Sequence, residues 1–255
     1  MNIEKGIINM FDAKKEVKNI CEFVREYYKK NNITGAVVGI SGGKDSAVVA
    51  ALLVEALGPE NVVGVALPCH SKDEDLNDAI MLSEYYGFEL KKLDLTSTYD
   101  SFINEVKNMT GSNDYDNANI NLKPRLRMSS LYYVASMLST GGKRYLVAGT
   151  SNKSELFVGY FTKGGDSTHD FEVISDFTVS EVIKIGEELK VPEKVLYKAP
   201  SDGLSGKTDE DNLGVTYQAI EDYIYGKELD QETKDKITKL HNNNQHKFNM
   251  PAYRR

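Results

Sequence analysis

The chain has 255 residues, 40% hydrophobic and 27% charged, the balance of a soluble globular chain with enough apolar mass for a sizeable core. The formal charge is −7 and the pI near 5.3, which excludes salt-sensitive binding to a nucleic-acid backbone as the main occupation but leaves room for a small anion in a locally positive cleft. The longest apolar run, residues 47–54, has eight residues where a spanning helix needs roughly 20, so no membrane segment is expected. The first residues, MNIEKGIINMFDAKKEV, mix acids and lysines where a secretory signal carries its apolar core, which predicts the cytoplasm. Cys21 and Cys69 are the two cysteines, too few for a disulfide scaffold or a CxxC motif, so any metal should sit on oxygen ligands.

In chain order, residues 12–30 carry helical patterning, and 33–40 (ITGAVVGI) form a short apolar β-run ending at Gly42 and Gly43. Residues 45–57 are helix formers, apolar almost all round and stopped by Gly58-Pro59, as in a helix buried between layers. A strand at 61–67, a helix at 72–86 stopped by Gly87 and a strand at 88–93 follow. A further helix fits 122–138, with Leu131, Val134, Ala135 and Leu138 on one face, and a fourth strand fits 144–148. Beyond Gly149 the chain is loop-rich; a helix fits 178–190, and the polar last thirty residues suggest a helix and a tail that orders with ligand. The alternation predicts an α/β fold, a Rossmann-like doubly wound parallel sheet with helices on both faces and ligands at the strands' carboxyl ends. Without a repeat or a convincing boundary, residues 1–255 are taken as one domain with a polar tail from about residue 228.

The sharpest signal is GISGGKDS at 39–46, between a strand and a helix start. Glycines let backbone N–H groups turn inward, serines add donors and the helix end adds its positive dipole, so a pyrophosphate can be held largely by main chain. The loop is not a Walker A motif, because Asp45 follows Lys44 where Ser or Thr should stand, and GxGxxG does not fit either. Tight packing alone explains a lone glycine turn, but not six specified residues in this context.

The SGGxDS pattern resembles the loop of the N-type ATP pyrophosphatase superfamily, the adenine nucleotide alpha hydrolase-like fold, whose members cleave ATP between the α and β phosphates. The resemblance implies that Gly39, Ile40, Ser41, Gly42, Gly43, Lys44, Asp45 and Ser46 bind ATP and that Asp45 holds Mg2+. The run GTSNKSELFVGYFTKGGD at 149–166 is similar to a segment of NAD synthetases, which gives Thr150 to ATP and makes Glu155 the second metal ligand. NLKPRLRM at 121–128 resembles the family's N-x-K-A-R-x-R-M, with Pro124 for alanine in what reads as a first helical turn. By the same resemblance Arg125, Lys163, Asp170, His246 and Lys247 bind deamido-NAD, and Asp166 lies near the incoming ammonia; Lys163 and Asp166 count with Asp45 and Glu155 as catalytic. APSDGLSGKTDEDNLGVTYQAIEDYIYGKE at 199–228 is the longest specific match and gives Ser201 to ATP. Val179 departs from the family, which commonly has a phosphate-facing lysine there; Lys184, Lys198, Lys207 or the metal is left to supply the charge.

The implied reaction is the ATP-dependent amidation of deamido-NAD by ammonia through an acyl-adenylate, giving NAD, AMP and pyrophosphate, the final step of NAD biosynthesis. Glutamine-dependent relatives carry an added amidase domain, for which this length leaves no room, so the ammonia-dependent form is expected. Family members are usually homodimers, and the face of the 122–138 helix with Arg125, Tyr132 and Tyr133 suits an interface or a core equally. Because an adenylate hydrolyses if water enters, segments 73–78, 110–120, 160–170 and 201–211 are candidate lids. A tRNA-modifying pyrophosphatase would need a basic surface and often catalytic cysteines; GMP or asparagine synthetase would need other nucleotide-specific segments. A non-catalytic adenine-nucleotide sensor is favoured by Val179 and opposed by the joint presence of Asp45, Glu155, Lys163 and Asp166.

Overall fold

A computed structural model describes residues 11–199 and 208–248. The apolar runs become β1 (Gly35–Gly39), β2 (Val62–Ala66) and β4 (Tyr145–Gly149), with β3 (Glu89–Lys92) and the two-residue β5 (Phe171–Glu172) completing a sheet of order β3-β2-β1-β4-β5. Every pairing is parallel, with Ala36 beside both Val62 and Leu146. The inner strands are the β-branched ones because they are covered on both faces, whereas edge strand β3 reads ELKK and is half-exposed.

One face carries α1 (Ala13–Asn31), α2 (Lys44–Leu57), α3 (Asp73–Tyr86), α7 (Val179–Glu188) and α8 (Glu193–Leu196); the other carries α4 (Thr96–Thr110) and α5 (Asp116–Leu138). As its composition predicts, α2 is the central helix, with Ala47, Val48, Val49, Ala50, Leu52 and Leu53 wholly buried. Val134 and Ala135 of α5 are buried against the second face, with Leu131 and Leu138 packed beside them. A third apolar cluster joins α6 (Lys153–Val158) and α7 to α10 (Tyr217–Ile224) and α11 (Gln231–Asn244), through Val158, Val179, Tyr217, Ile220 and Ile237. Among the described residues no helix is long and apolar enough to cross a membrane.

Several expectations need correction. Residues 96–110, where the sequence predicts no helix, form α4, and α5 starts at Asp116, six residues before the expected start at 122. The Asn-rich stretch 116–121 has weak helix propensity, and tertiary contact overrides it, with the Thr162 hydroxyl donating to Asn121 Oδ1 at 2.7 Å. Pro124 therefore sits inside the helix rather than in its first turn, and it withholds an N–H from the carbonyl of Ile120. Gly165 packs on it, since a Cβ there would lie 3.0 Å from Pro124 Cβ. The helix expected at 72–86 is α3, so the candidate lid 73–78 is its first turn; of the candidate lid 110–120, Thr110 ends α4 and 116–120 open α5, and the loop after β4 contains α6. In the 201–211 segment, residues 201–207 lie outside the described residues, while Thr208 caps α9 (Asp209–Leu213). The expected C-terminal helix is α11; the tail beyond residue 248 lies outside the described residues. Both cysteines are buried and unpaired, as expected.

Gly64 in β2 lets its neighbours close on the backbone: a Cβ there would meet Phe88 Cε2 at 2.6 Å and Ile40 Cγ1 at 2.9 Å. Gly64→Val should destabilise the chain by about 1–3 kcal/mol through overpacking, read as a lower denaturant midpoint with an unchanged slope.

Candidate active site

Strands β1 and β4 are neighbours whose chains leave the same edge of the sheet for different helices, and such a switch point opens a crevice between the two departing loops. A cavity of about 650 Å³ lies there, lined by residues 39–46, the ends of β2 and β4, Thr150, Glu155, Asp166, Asp209 and Lys247.

The loop after β1 is held by its own side chains. Ser41 N–H donates to Ser46 Oγ at 3.2 Å, Gly43 N–H to Ser41 Oγ at 3.2 Å, and the Ser46 hydroxyl to the Gly43 carbonyl at 3.0 Å. The Gly43 amide, expected as a phosphate donor, is thus turned onto Ser41, and no side chain caps the first turn of α2. Gly42 has φ 79°, a left-handed conformation that favours glycine. A Cβ there would also stand 2.6 Å from the Asp75 carbonyl oxygen.

Asp45, in the first turn of α2, and Glu155, in the first turn of α6, come from the two sides of the crevice. Asn152 joins them. It caps α6 by accepting from Glu155 N–H at 3.0 Å, donates its own N–H to Glu155 Oε2 at 3.2 Å, and donates its Nδ2 to Asp45 Oδ1 at 3.1 Å. Lys44 Nζ lies 2.9 Å from the other oxygen, Asp45 Oδ2. Asp209, buried in the first turn of α9, accepts from the hydroxyls of Tyr160 at 3.4 Å and Tyr217 at 3.3 Å. Burial first, and the Asp45 carboxylate second, push the Glu155 carboxyl well above the usual carboxylate range; Lys44 and the Asn152 N–H oppose this and Asp209 adds to it. Asp45, Glu155 and Asp209 all act on the Lys44 ammonium, which gathers three acids around one buried lysine. Among the described residues no group of three or more His, Cys, Asp or Glu side chains forms a ready-made metal site. Two carboxylates that leave the remaining positions to phosphate and water fit the habit of Mg2+.

Asp166 borders the same cavity, with Oδ1 accepting from Thr162 N–H at 2.9 Å. The surrounding protein raises its carboxyl pKa, and the Thr162 N–H works the other way. Three of the residues expected to bind the dinucleotide are linked in a chain, and a fourth, Lys247, lines the cavity next to it. Arg125 donates to the Lys163 carbonyl at 3.3 Å, Lys163 Nζ to the His246 carbonyl at 2.8 Å, and Lys247 Nζ to the carbonyls of Gly159 and Phe161 at 2.6 and 2.8 Å. Asp170 stands apart from them, its carboxylate accepting from Val147 N–H at 2.8 Å and the Tyr132 hydroxyl at 3.2 Å. Thr150 lines the cavity; Ser201 lies outside the described residues.

Val179 is packed in the third apolar cluster and brings no charge. Of the lysines weighed in its place, Lys184 sits 5.8 Å over the Phe11 ring, and Lys198 lines the cavity but is paired with Asp75 and Asp78, each at 2.8 Å. Lys207 lies outside the described residues. Three residues of the site went unassigned in the sequence reading: Asn152, Asp209 and Arg127, the last lining the cavity and donating to the Leu67 carbonyl at 3.2 Å. Each had a local signal: the N-x-x-E capping pattern at 152–155 for Asn152, the 121–128 match for Arg127 and the 199–228 match for Asp209.

A profile of the NAD synthase family matches residues 16–251. The chain is 39% identical over 237 residues to the NH(3)-dependent NAD(+) synthetase of Carboxydothermus hydrogenoformans, covering 92% of this chain and 95% of that protein. Its fold is similar to that of NMN synthetase from Francisella tularensis, with a TM-score of 0.88, 32% identity and coverage of 96% of this chain and 99% of that one. It is also similar to the NH3-dependent NAD synthetase from Campylobacter jejuni, with a TM-score of 0.77, 30% identity and the same coverage. With the profile spanning most of its length and the crevice placed at the β1/β4 switch point, this chain belongs to the NAD synthase family.

Proposed function

We propose that this crevice amidates deamido-NAD with ammonia at the expense of ATP, giving NAD, AMP and pyrophosphate as the last step of NAD biosynthesis, within a single domain acting in the cytoplasm. The observation that carries the reading is that the loop after β1, the Asp45 and Glu155 carboxylates and Asp166 all border one cavity. ATP lies with its β and γ phosphates on residues 39–46 and contacts Thr150 and Ser201. The pyridine carboxylate of deamido-NAD forms a bond to the α-phosphorus, the bond from that phosphorus to the bridging oxygen breaks, and pyrophosphate leaves. Asp45 and Glu155 hold a Mg2+ ion, which when bound neutralises charge on the departing phosphates. Ammonia then attacks the acyl carbon and AMP departs with the C–O bonding pair, while Asp166, its carboxyl already raised by its surroundings, takes a proton from the attacking nitrogen. Arg125, Lys163, His246 and Lys247 meet the dinucleotide at the rim. Asp170 acts behind them by fixing Tyr132. A homodimer through the exposed side of α5, where Tyr133 is 74% exposed and Met137 49%, extends that rim.

The higher fold likeness to NMN synthetase favours a second reading, with a nicotinic acid mononucleotide as the acceptor. The full chain with ATP, Mg2+ and ammonium, offered each acceptor separately and scored for amide and AMP, separates the two. A higher kcat/KM with deamido-NAD supports the first reading, a higher value with the mononucleotide replaces it with the second, and no AMP from either rejects both.

Asp45→Ala and Glu155→Ala should each lower turnover at least about a hundredfold with an unchanged far-UV circular dichroism spectrum; a normal rate in either refutes the metal assignment. Asn152→Ala should lose about 1 kcal/mol of stability with the cap and most of the turnover. Asn152→Ser keeps a capping oxygen but cannot reach Asp45, so stability returns and turnover does not; equal recovery of both would show that the link to Asp45 is idle. Asp166→Asn should slow amide formation about a hundredfold and leave ATP–pyrophosphate exchange near normal. In the native chain Asp166 accepts a proton only above its raised pKa, so amidation should climb with pH through that value, and the Asp166→Asn variant should lack this limb.

A further inference from the structure

Lys44 is a lysine in an unusual place. It opens α2 at the back of the cavity, its side chain is 5% exposed, and its ammonium lies 5.9 Å from the centroid of the Tyr217 ring. A buried ammonium persists only where it is paired, and its pairing is definite: Asp45 Oδ2 at 2.9 Å, with Glu155 and Asp209 close enough to act on its charge.

The two oxygens of Asp45 are therefore both engaged. Oδ1 accepts from Asn152 Nδ2 at 3.1 Å, and Oδ2 is held by Lys44. Asn152 is wholly buried and fixed by its bonds to Glu155, so Oδ1 is the less yielding of the two. A divalent ion on Oδ2 would stand within a few ångströms of the ammonium, and two cations at that separation in a half-dry pocket repel strongly. Sharing that oxygen would set the two cations against each other, so each weakens the hold of the other.

We infer that Lys44 is the resident cation of this site, and that a divalent ion binds by exchange, displacing the Lys44 ammonium from Asp45 Oδ2. The inference rests on the assignment of the metal to Asp45 and Glu155. Metal affinity is then set by competition with a side chain as well as by the carboxylates. The chain carries its own neutralising charge when no metal is bound, and the released ammonium stays on the cavity wall, where it can meet an anionic ligand.

The test is Mn2+ binding to the metal-free full chain without nucleotide, followed by calorimetry, for the native protein and for K44M, K44Q, K44R and D45N, each checked for folding by circular dichroism. K44M and K44Q should bind Mn2+ about tenfold more tightly than the native chain, and K44R, which keeps the charge, should stay within about threefold of it. Without metal, K44M and K44Q should melt about 5 °C lower, and saturating Mn2+ should close the gap. Equal or weaker Mn2+ binding in the folded neutral variant, with binding abolished in D45N, overturns the exchange and leaves the metal assignment standing. Native-like binding in D45N overturns the metal assignment itself. The neutral pair guards against one variant failing to fold, and tighter binding in either one supports the exchange.

Discussion

The crevice depends on holding like charges together. Asp45 and Glu155 belong to helices that follow adjacent parallel strands, so the sheet register fixes how closely they approach. Left alone, two carboxylates in a partly dry pocket would separate or neutralise. Here α2 cannot retreat, because its apolar side chains fill the first core, and α6 cannot, because Val158 is locked into the third. Asn152 turns this forced proximity into a defined geometry with one short side chain that caps one helix and bonds the acid of the other. Packing energy gathered far from the chemistry thus maintains an arrangement that electrostatics opposes, and a charged ligand benefits from it.

Much of the scaffold was legible in the sequence. Strands β1, β2 and β4 and helix α2 were readable because two-sided burial leaves continuous apolar runs. The parts that were not readable differ in cause. Helix α4 has a helical apolar spacing at Tyr99, Phe102, Ile103 and Val106 but buries none of it fully, whereas the first turns of α5 are Asn-rich and are held by contact with Thr162. Short helices such as α6 and α9 are set by capping side chains rather than by periodicity.

The site divides in the same way. Asp45 could be picked out from its place after the glycine turn, and Glu155 from its segment. Asp209 and Arg127 fall within the matched segments at 199–228 and 121–128, but only the fold shows that both border the cavity. The rim shows the limit of residue-by-residue transfer: Arg125, Lys163, His246 and Lys247 do converge, but through backbone carbonyls as much as through their charges. Asp170 is used by the neighbouring strand β4, through Val147 N–H, and by Tyr132. The lysine question raised by Val179 turns on pairing rather than on count, since Lys198 reaches the cavity with its charge already matched by Asp75 and Asp78.

The contact between Gly42 and the backbone of Asp75 has a mechanical meaning. The turn after β1 leans on the opening turn of α3 with no side chain between them, so there is no compliant layer to absorb a displacement. Asp75 and Asp78 of the same helix tether Lys198, just ahead of residues 200–207. A displacement of the turn would therefore bear directly on the opening of α3, the same helix whose acids hold Lys198.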